Sequence, residues 1–332
     1  MKIPRKKRVI MDKVIPPIPK EELLRELTPE KFVRKTNKGG NEVYVFTYRD
    51  SPSLMQELGR LRELSFRMAG GGTGKPLDLD SYDLGDDPYQ QLIVWDPEQQ
   101  EIIGGYRFYI CNEHTDPSRL ATSHLFRFSD KFVREYIPHL VELGRSFIQP
   151  EYQRTGRSAK KGIFALDNLW DGLGSVVINN PQVLYFFGKM TMYSHFHKEA
   201  RNLILYFLDK HFGDREGLAV PLYPVKPDYD EKKMAELFTG KDFQEDYKIL
   251  SAEVRKLGEN IPPLFNSYMN LSPTMKVFGT VLHHEFGDVE ETGLMITIRD
   301  MYIEKVSRHL ASYDESFRLE DLGENNPEGK DQ

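Results

Sequence analysis

The stretch VELGRSFIQPEYQRTGRS, residues 141–158, runs from an apolar strand into a glycine- and arginine-bearing loop and on toward an amphipathic helix. Charges are costly inside a strand with a buried face, yet Glu142-x-x-Arg145 stands there. Strand side chains alternate, so that spacing sends the two to opposite faces. A β-bulge at Gly144 would return both to one face and splay the strand from its neighbour, opening a slot. The sequence therefore predicts a bulge at Gly144. The QRTGRS loop is a general anion cradle, because loop N–H groups and a positive helix end face one point. Gly156 permits close approach, and Arg154 and Arg157 add charge. An ordinary strand-to-helix turn with exposed arginines fits the same spacing.

Working outward, NEVYVFTY (41–48) alternates as a strand, and 51–68 reads as a helix with a Ser51 cap. QQLIVWD and EIIGGYRFYIC form two strands joined by the turn-like PEQQ. After the opening strand come a helix over 158–178, the strand QVLYFFGKM and a helix through HFHKEARNLILYFLDKHF. A short strand after residue 217, a charged helical insertion over 229–258, closing strands in TMKVFGTVLHHEFG and GLMITIRD, and a helix at 300–311 complete the order. The pattern is α/β: one mixed sheet with helices on its faces. It divides the chain into a basic, Pro-containing lead-in (1–40), a single domain (41–311) and an acidic tail (312–332).

The chain has 332 residues and a net charge of −6. Its apolar runs fall far short of a bilayer span of about 18–20 residues, and no apolar segment follows the basic start as a signal peptide needs. The lone cysteine, Cys111, excludes an internal disulfide and fits a reducing, cytoplasmic compartment. Lys2, Arg5, Lys6, Lys7, Arg8 and Lys13 face only Asp12. That end is either a solvated arm or a peripheral contact with an anionic membrane. No basic stripe with interleaved aromatics follows, so nucleic acid is not an expected partner.

Four motifs tempt and fail. AGGGTGKP (69–76) has Ala69 and Pro76 where a phosphate loop needs Gly and Ser or Thr, and reads as a flexible loop. DLDSYDLGDD (78–87) resembles a calcium loop, but Tyr82 replaces an oxygen ligand and the closing glutamate is missing. HFH (195–197) and HHE (283–285) are weak ligand sets, so no metal is expected.

Gln153-x-x-Gly156-x-Ser158 resembles the Q/R-x-x-G-x-G/A loop of GNAT acyltransferases, with Ser158 at a position usually Gly or Ala. More specifically, the chain resembles the acyl-carrier-protein-dependent branch. That branch holds acyl-homoserine-lactone synthases and, more closely, the hemolysin-like N-acyl amino acid synthases that make ornithine-lipid precursors. The resemblance rests on Arg62-x-x-x-Phe66, Asp80-x-x-Asp83, Arg107 in IIGGYRF, Glu142-x-x-Arg145, LYFFGKMTM and IPPLFNSYMNLSPTMKVFGTVLHHEFG, in order across about residues 41–299. It implies a GNAT-like, mainly antiparallel sheet with helices on both faces. It also implies transfer of a long-chain or 3-hydroxy acyl group from acyl carrier protein to an amino acid such as ornithine or glycine, in aminolipid synthesis. No cofactor would be permanently bound; the donor is the phosphopantetheine of acyl carrier protein, or coenzyme A.

Amide formation from a thioester needs a neutral amine, a proton acceptor and donors for the oxyanion, but no enzyme nucleophile. Glu142 is the candidate base, or else a carboxylate paired with Arg145 or Arg107. Backbone N–H groups around Phe147 and Ile148 are candidates for polarising the carbonyl. The resemblance places phosphopantetheine along Phe147, Ile148, Gln153, Arg154, Gly156, Arg157 and Ser158. Arg62, Phe66, Asp80, Asp83 and Arg107 would order the 70–88 loop over the site, and Arg154, Arg157, Lys160 and Lys161 would dock an acidic carrier protein. The competing readings are a coenzyme A-dependent acetyltransferase and an inactive GNAT scaffold serving as a binding module.

Overall fold

A computed structural model describes residues 11–153, 156–310 and 313. Most of the basic start, Arg154 and, apart from Tyr313, the acidic tail lie outside the described residues.

Among the described residues, ten strands form two sheets. They are β1 Phe32–Lys35, β2 Glu42–Phe46, β3 Gln90–Asp96, β4 Glu101–Ile110, β5 Phe126–Phe128, β6 Leu140–Ile148, β7 Tyr185–Met192, β8 Ala219–Pro221, β9 Lys276–His283 and β10 Val289–Thr297. The main sheet runs β1-β2-β3-β4-β6-β7-β10-β9, and β5 pairs with β8 apart from it. Every neighbouring pair in the main sheet is antiparallel except β6 with β7. The edge strand β1 and the helix α1 (Lys20–Glu26) both fall within the lead-in segment.

Helices cover both faces. On one, α2 (Pro52–Met68) lays Leu54, Leu58, Leu61 and Phe66 against Phe46, Ile93, Trp95, Ile102 and Phe147. The N-terminus of α2 is not capped by the Ser51 side chain, as its sequence suggested. Instead the Glu26 carboxylate of α1 accepts the N–H groups of Ser53 and Leu54 at 3.0 and 2.8 Å, an acceptor remote in sequence satisfying the open helix end. After α3 (Ser81–Leu84), the helix expected over 158–178 appears as α4 (Ala159–Gly162) and α5 (Ala165–Ile178). The chain is pressed down at the break: a Cβ on Gly162 would fall 1.7 Å from the Tyr152 carbonyl oxygen.

On the opposite face α5 and α6 (Lys198–Phe212) bury Leu169, Leu173, Ile204 and Phe207 against Leu92, Val94, Phe108, Val141 and Phe186. The charged insertion forms α7 (Glu231–Leu237) and α8 (Phe243–Lys256), seated on α6 through Phe238, Leu250 and Val254. Burying an apolar side chain of this kind contributes about 1.5–3 kcal/mol, so the insertion is part of the core. Two short helices, α9 (Pro263–Met269) and α10 (Ile303–His309), flank the closing strands. No helix among the described residues is long and apolar enough to cross a membrane.

Candidate active site

The site begins where the sheet stops being continuous. β6 pairs with β7 only through Leu140↔Tyr185, Val141↔Phe186 and Glu142↔Phe187. Beyond Glu142 the two strands keep their outer partners, β4 and β10, and part from each other. The cause is a bulge. Opposite β4, Gly105 pairs with Phe147 but Arg107 with Gly144, so β6 spends one residue more than its partner. The bulge lies one position beyond Gly144, and Arg145 itself takes the left-handed conformation, with φ of 50°. That backbone costs a residue with a Cβ roughly 1–2 kcal/mol. Contacts at the far end of the side chain hold it there.

Those contacts form a web of arginines and aspartates. Arg62 of α2 donates to Asp78 at 3.0 Å and to both oxygens of Asp83 at 3.1 and 3.2 Å. Arg107 meets Asp80 at 2.7 Å and Asp83 at 3.2 Å. Arg145 meets Asp78 at 2.9 Å and Asp80 at 3.4 Å, with its guanidinium 4.5 Å from the centre of the Phe286 ring. Phe286 in turn packs edge-on against Phe66 at 5.1 Å, and Phe66 against Phe147 at 6.4 Å. Arg62, Asp78, Asp83 and Arg107 are buried. Burial alone would raise the Asp83 carboxyl, but the Arg62 and Arg107 cations outweigh it and hold the group well below the usual range. For Asp78, Arg145 and Arg62 likewise override the effect of burial. The calcium-loop likeness of 78–87 thus has a physical basis: its carboxylates converge, but on guanidinium groups. No cluster among the described residues has the make-up of a metal site.

The 78–84 segment is itself fixed. Asp80 caps α3 by accepting from the N–H groups of Tyr82 and Asp83, and the Asp83 carboxylate accepts the Asp80 N–H. The web therefore spans α2, the α3 loop, β4 and β6, and brings together Arg62, Phe66, Asp80, Asp83, Arg107 and Arg145.

Glu142 lies on the same sheet face, buried, and pairs with neither arginine. Its carboxylate accepts the Tyr89 hydroxyl, the Ala121 N–H at 2.8 Å and the Thr122 N–H at 2.9 Å. Burial, then the Glu142 charge, pushes the Tyr89 phenol far up, so it stays a donor. Tyr89, Ala121 and Thr122 were not foreseen, because two of the contacts are backbone groups of an irregular segment. Nor was Lys189 of β7, which is ion-paired with the buried Glu291 of β10. A lysine inside the apolar run LYFFGKMTM was the available signal, of the same kind as Glu142 in its own strand.

The loop after β6 is closed upon itself. Gln153 donates its side-chain amide to the Ile148 carbonyl at 2.7 Å, and the Gly156 N–H bonds the Gln153 carbonyl at 2.8 Å. The Ser158 N–H meets the Glu151 carbonyl at 2.7 Å, and the Arg157 N–H meets the Glu151 carboxylate at 3.3 Å. Gly156 does allow close approach, but to its own chain: a Cβ there would sit 2.3 Å from the Glu151 carbonyl oxygen. Two of the proposed docking cations have internal partners, Arg157 with Glu101 and Glu151, and Lys161 with Asp96 and Glu98.

A mixed sheet that opens between two central strands, with a loop and helix beyond the opening, is the framework of a GNAT acyltransferase. The family model described as "Acetyltransferase (GNAT) domain" matches residues 61–160, which carry the web, Glu142 and the loop. A protein of Phocaeicola vulgatus named glycine N(alpha)-acyltransferase is 54% identical over 308 residues, spanning 91% of this chain and 94% of the relative. One of the same name from Bacteroides thetaiotaomicron is 51% identical over 310 residues, spanning 92% of each. The chain belongs to this family of GNAT-fold N-acyltransferases, and it is an enzyme. Among solved structures, a CoA-dependent acyl-homoserine lactone synthase, BjaI, aligns with a TM-score of 0.37 at 10% identity, over 86% of this chain and 98% of that one. AAC(6')-Ib with ribostamycin and coenzyme A aligns at 0.32 and 12% identity, over 81% and 96%.

Proposed function

We propose that this protein acylates the amine of glycine with a long-chain or 3-hydroxy acyl group carried as a thioester by acyl carrier protein, in the synthesis of an aminolipid. The observation that carries the acceptor is the near full-length identity to relatives named for glycine. For the donor, support comes from the parting of β6 and β7 beyond Glu142, which leaves facing strand edges unpaired, as insertion of an extended pantetheine arm would require.

In this reading the thioester carbonyl lies along the bulged part of β6, and peptide N–H groups around Phe147 and Ile148 receive the developing oxyanion. Arg107 and Arg145 hold the acidic 78–84 segment against the slot. Glu142 acts as the fixed anion that draws residues 121 and 122 down onto β6. Phosphate of the carrier's prosthetic group meets Gln153, Gly156, Arg157 and Ser158, with Glu151 swinging aside, and Lys160 adds a positive charge toward an acidic carrier. Contact of the basic N-terminus with an anionic membrane would suit an amphiphilic product.

Free-thiol release from acyl-loaded carrier protein and from acetyl-coenzyme A, each offered glycine, ornithine or lysine, tests the proposal. Glycine with the long-chain carrier thioester should be fastest. Equal or faster release from acetyl-coenzyme A would favour the acetyltransferase reading, and preference for ornithine would move the acceptor.

A further inference from the structure

Across the splay from the arginine–aspartate web lies a second polar cluster on the same sheet face. Glu291 is at its centre, accepting from Lys189, from the Thr191 hydroxyl at 2.9 Å, and facing His283 Nδ1 at 3.3 Å. The ring of His124 lies 5.3 Å from that of His283. Glu291 and His283 are buried, whereas His124 is exposed. Lys189 and Thr191 on β7, like Gly144, Arg145 and Ser146 on β6, are half-buried and lie beyond the last paired residues of the two strands.

The segment that carries His124 is set by Glu142. Its two N–H contacts fix residues 121 and 122, immediately ahead of the imidazole. Both splaying strands bear on that ring electrostatically, Lys189 from β7 and Arg145 from β6, together with His283 of β9 and Glu285. The carboxylates beside the opening are committed: Glu142 holds three donors, and Glu291 holds Lys189 and Thr191 with His283 beside it. His283 turns Nδ1 toward Glu291 and keeps Nε2 as an acceptor, but its ring is buried, whereas that of His124 is exposed. His124 has no hydrogen-bond partner among the described residues.

We infer that His124 is the proton acceptor for the attacking amine, positioned by Glu142 through its segment and by His283 beneath it. The inference rests on the amine-acylating reaction proposed above. Desolvation of the ring on the side packed toward His283, then the His283 and Lys189 charges, lowers the His124 imidazole to about 4, with Glu285 opposing. The ring is thus neutral throughout the neutral range, with a lone pair open to the proton of the cationic nitrogen that forms on attack. As the amine nitrogen bonds the thioester carbon, its proton passes to imidazole. The tetrahedral adduct then expels the thiolate by C–S cleavage, and the imidazolium proton neutralises that thiolate, directly or through water. Amine and thioester become amide and thiol, with no co-reactant required.

The test uses the full-length protein with His124→Ala and His124→Gln. Loss of a positioned base typically lowers the rate about 10²–10⁴-fold, so kcat should fall in that range in both variants. The donor KM should stay within about threefold, and added imidazole should restore part of the His124→Ala rate. In a second reading independent of turnover, glycine added with a non-cleavable thioether analogue of the loaded carrier should move the His124 ring resonance, assigned by its loss in His124→Gln, and leave His114 unmoved. A kcat within threefold of wild type in both variants, or an unmoved His124 resonance, would overturn the inference. Wild type that releases no thiol with glycine would instead sink the glycine reading, and both measurements would then use the amine it does acylate.

Discussion

Two glycine-bearing loops of this protein invite the same reading and differ in what fills them. In the 70–76 loop the Glu63 carboxylate of α2 receives the Thr73 N–H at 3.0 Å, the Gly74 N–H at 2.8 Å, the Thr73 hydroxyl at 2.8 Å and Arg67 at 2.7 Å. In the 153–158 loop Glu151 takes a similar place, receiving the Arg157 N–H and ion-pairing its guanidinium. Both carboxylates receive loop N–H groups of the kind that hold an anion. Glu63 has no exposed side-chain surface, while that of Glu151 is 49% exposed. A buried carboxylate with four donors is permanent structure, so the first loop is ordered around it and is not the flexible segment its composition suggested. An exposed one with a surface ion pair is exchangeable. Glycine content shows that backbone N–H groups can converge; the burial of the internal anion decides whether a ligand can replace it.

The comparison is sharpened most by removing Glu63. Breaking a buried ion pair from one side typically costs about 3–5 kcal/mol. Glu63→Ala should therefore unfold the 70–76 loop and lower thermal stability by many degrees, measured by calorimetry. A variant as stable as wild type would show that this loop, too, is exchangeable. Glu151→Ala should leave the melting temperature nearly unchanged.

The next effect is in acid. Asp78 and Asp83 share the burial of Glu63, and arginines hold both below their ordinary range. A carboxyl depressed in the fold contributes stability that is present above its unfolded value, about 3.9, and is lost as pH falls toward the folded value. Denaturant stability should thus lose this contribution progressively below about pH 4. Asp83→Asn should be less stable at pH 7 and decline less steeply in acid. A parallel decline in both proteins would mean that the web does not govern acid unfolding.

These carboxylates also mark how far the sequence was legible. The sheet, the helices on both faces, the Glu142–Arg145 anomaly and the need for a bulge follow from periodicity and from charges in apolar runs, all local signals. Placing the bulge at Arg145 and not Gly144 depends on Asp78, Asp80 and Phe286, which arrive from other elements and hold a non-glycine residue in a left-handed backbone. The family resemblance grouped Arg62, Asp80, Asp83 and Arg107, but which carboxylate meets which guanidinium is set by tertiary packing. Edge strand β1 was missed because FVRK is too short to show alternation. The donors to Glu142 escaped because N–H groups at 121 and 122 have no side-chain signature.

A smaller effect concerns the exchangeable loop. Arg157 donates to Glu101 at 3.2 Å and lies 3.7 Å from Glu151, with its side chain 68% exposed. Arg157→Ala should raise the donor KM several-fold and flatten its dependence on salt, with kcat little changed, since a rim charge acts mainly on encounter and register. An unchanged KM would remove this residue from donor recognition.

The smallest effect discriminates best between the two loops. If donor phosphate takes the place of the Glu151 carboxylate, that carboxylate is a competitor for the Arg157 guanidinium and N–H. Glu151→Gln keeps the shape and the backbone contacts of Gly156 and Ser158 but removes the competing charge. An exposed ion pair contributes about 0.2–1 kcal/mol, so the donor KM should fall by roughly 1.4- to 5-fold in steady-state assays at low salt, and by less as salt screens the pair. The corresponding Glu63→Gln change should leave the donor KM where it is while lowering stability. A raised KM in Glu151→Gln would mean that Glu151 organises the loop as Glu63 does, and the donor phosphate would have to be sought elsewhere on the surface.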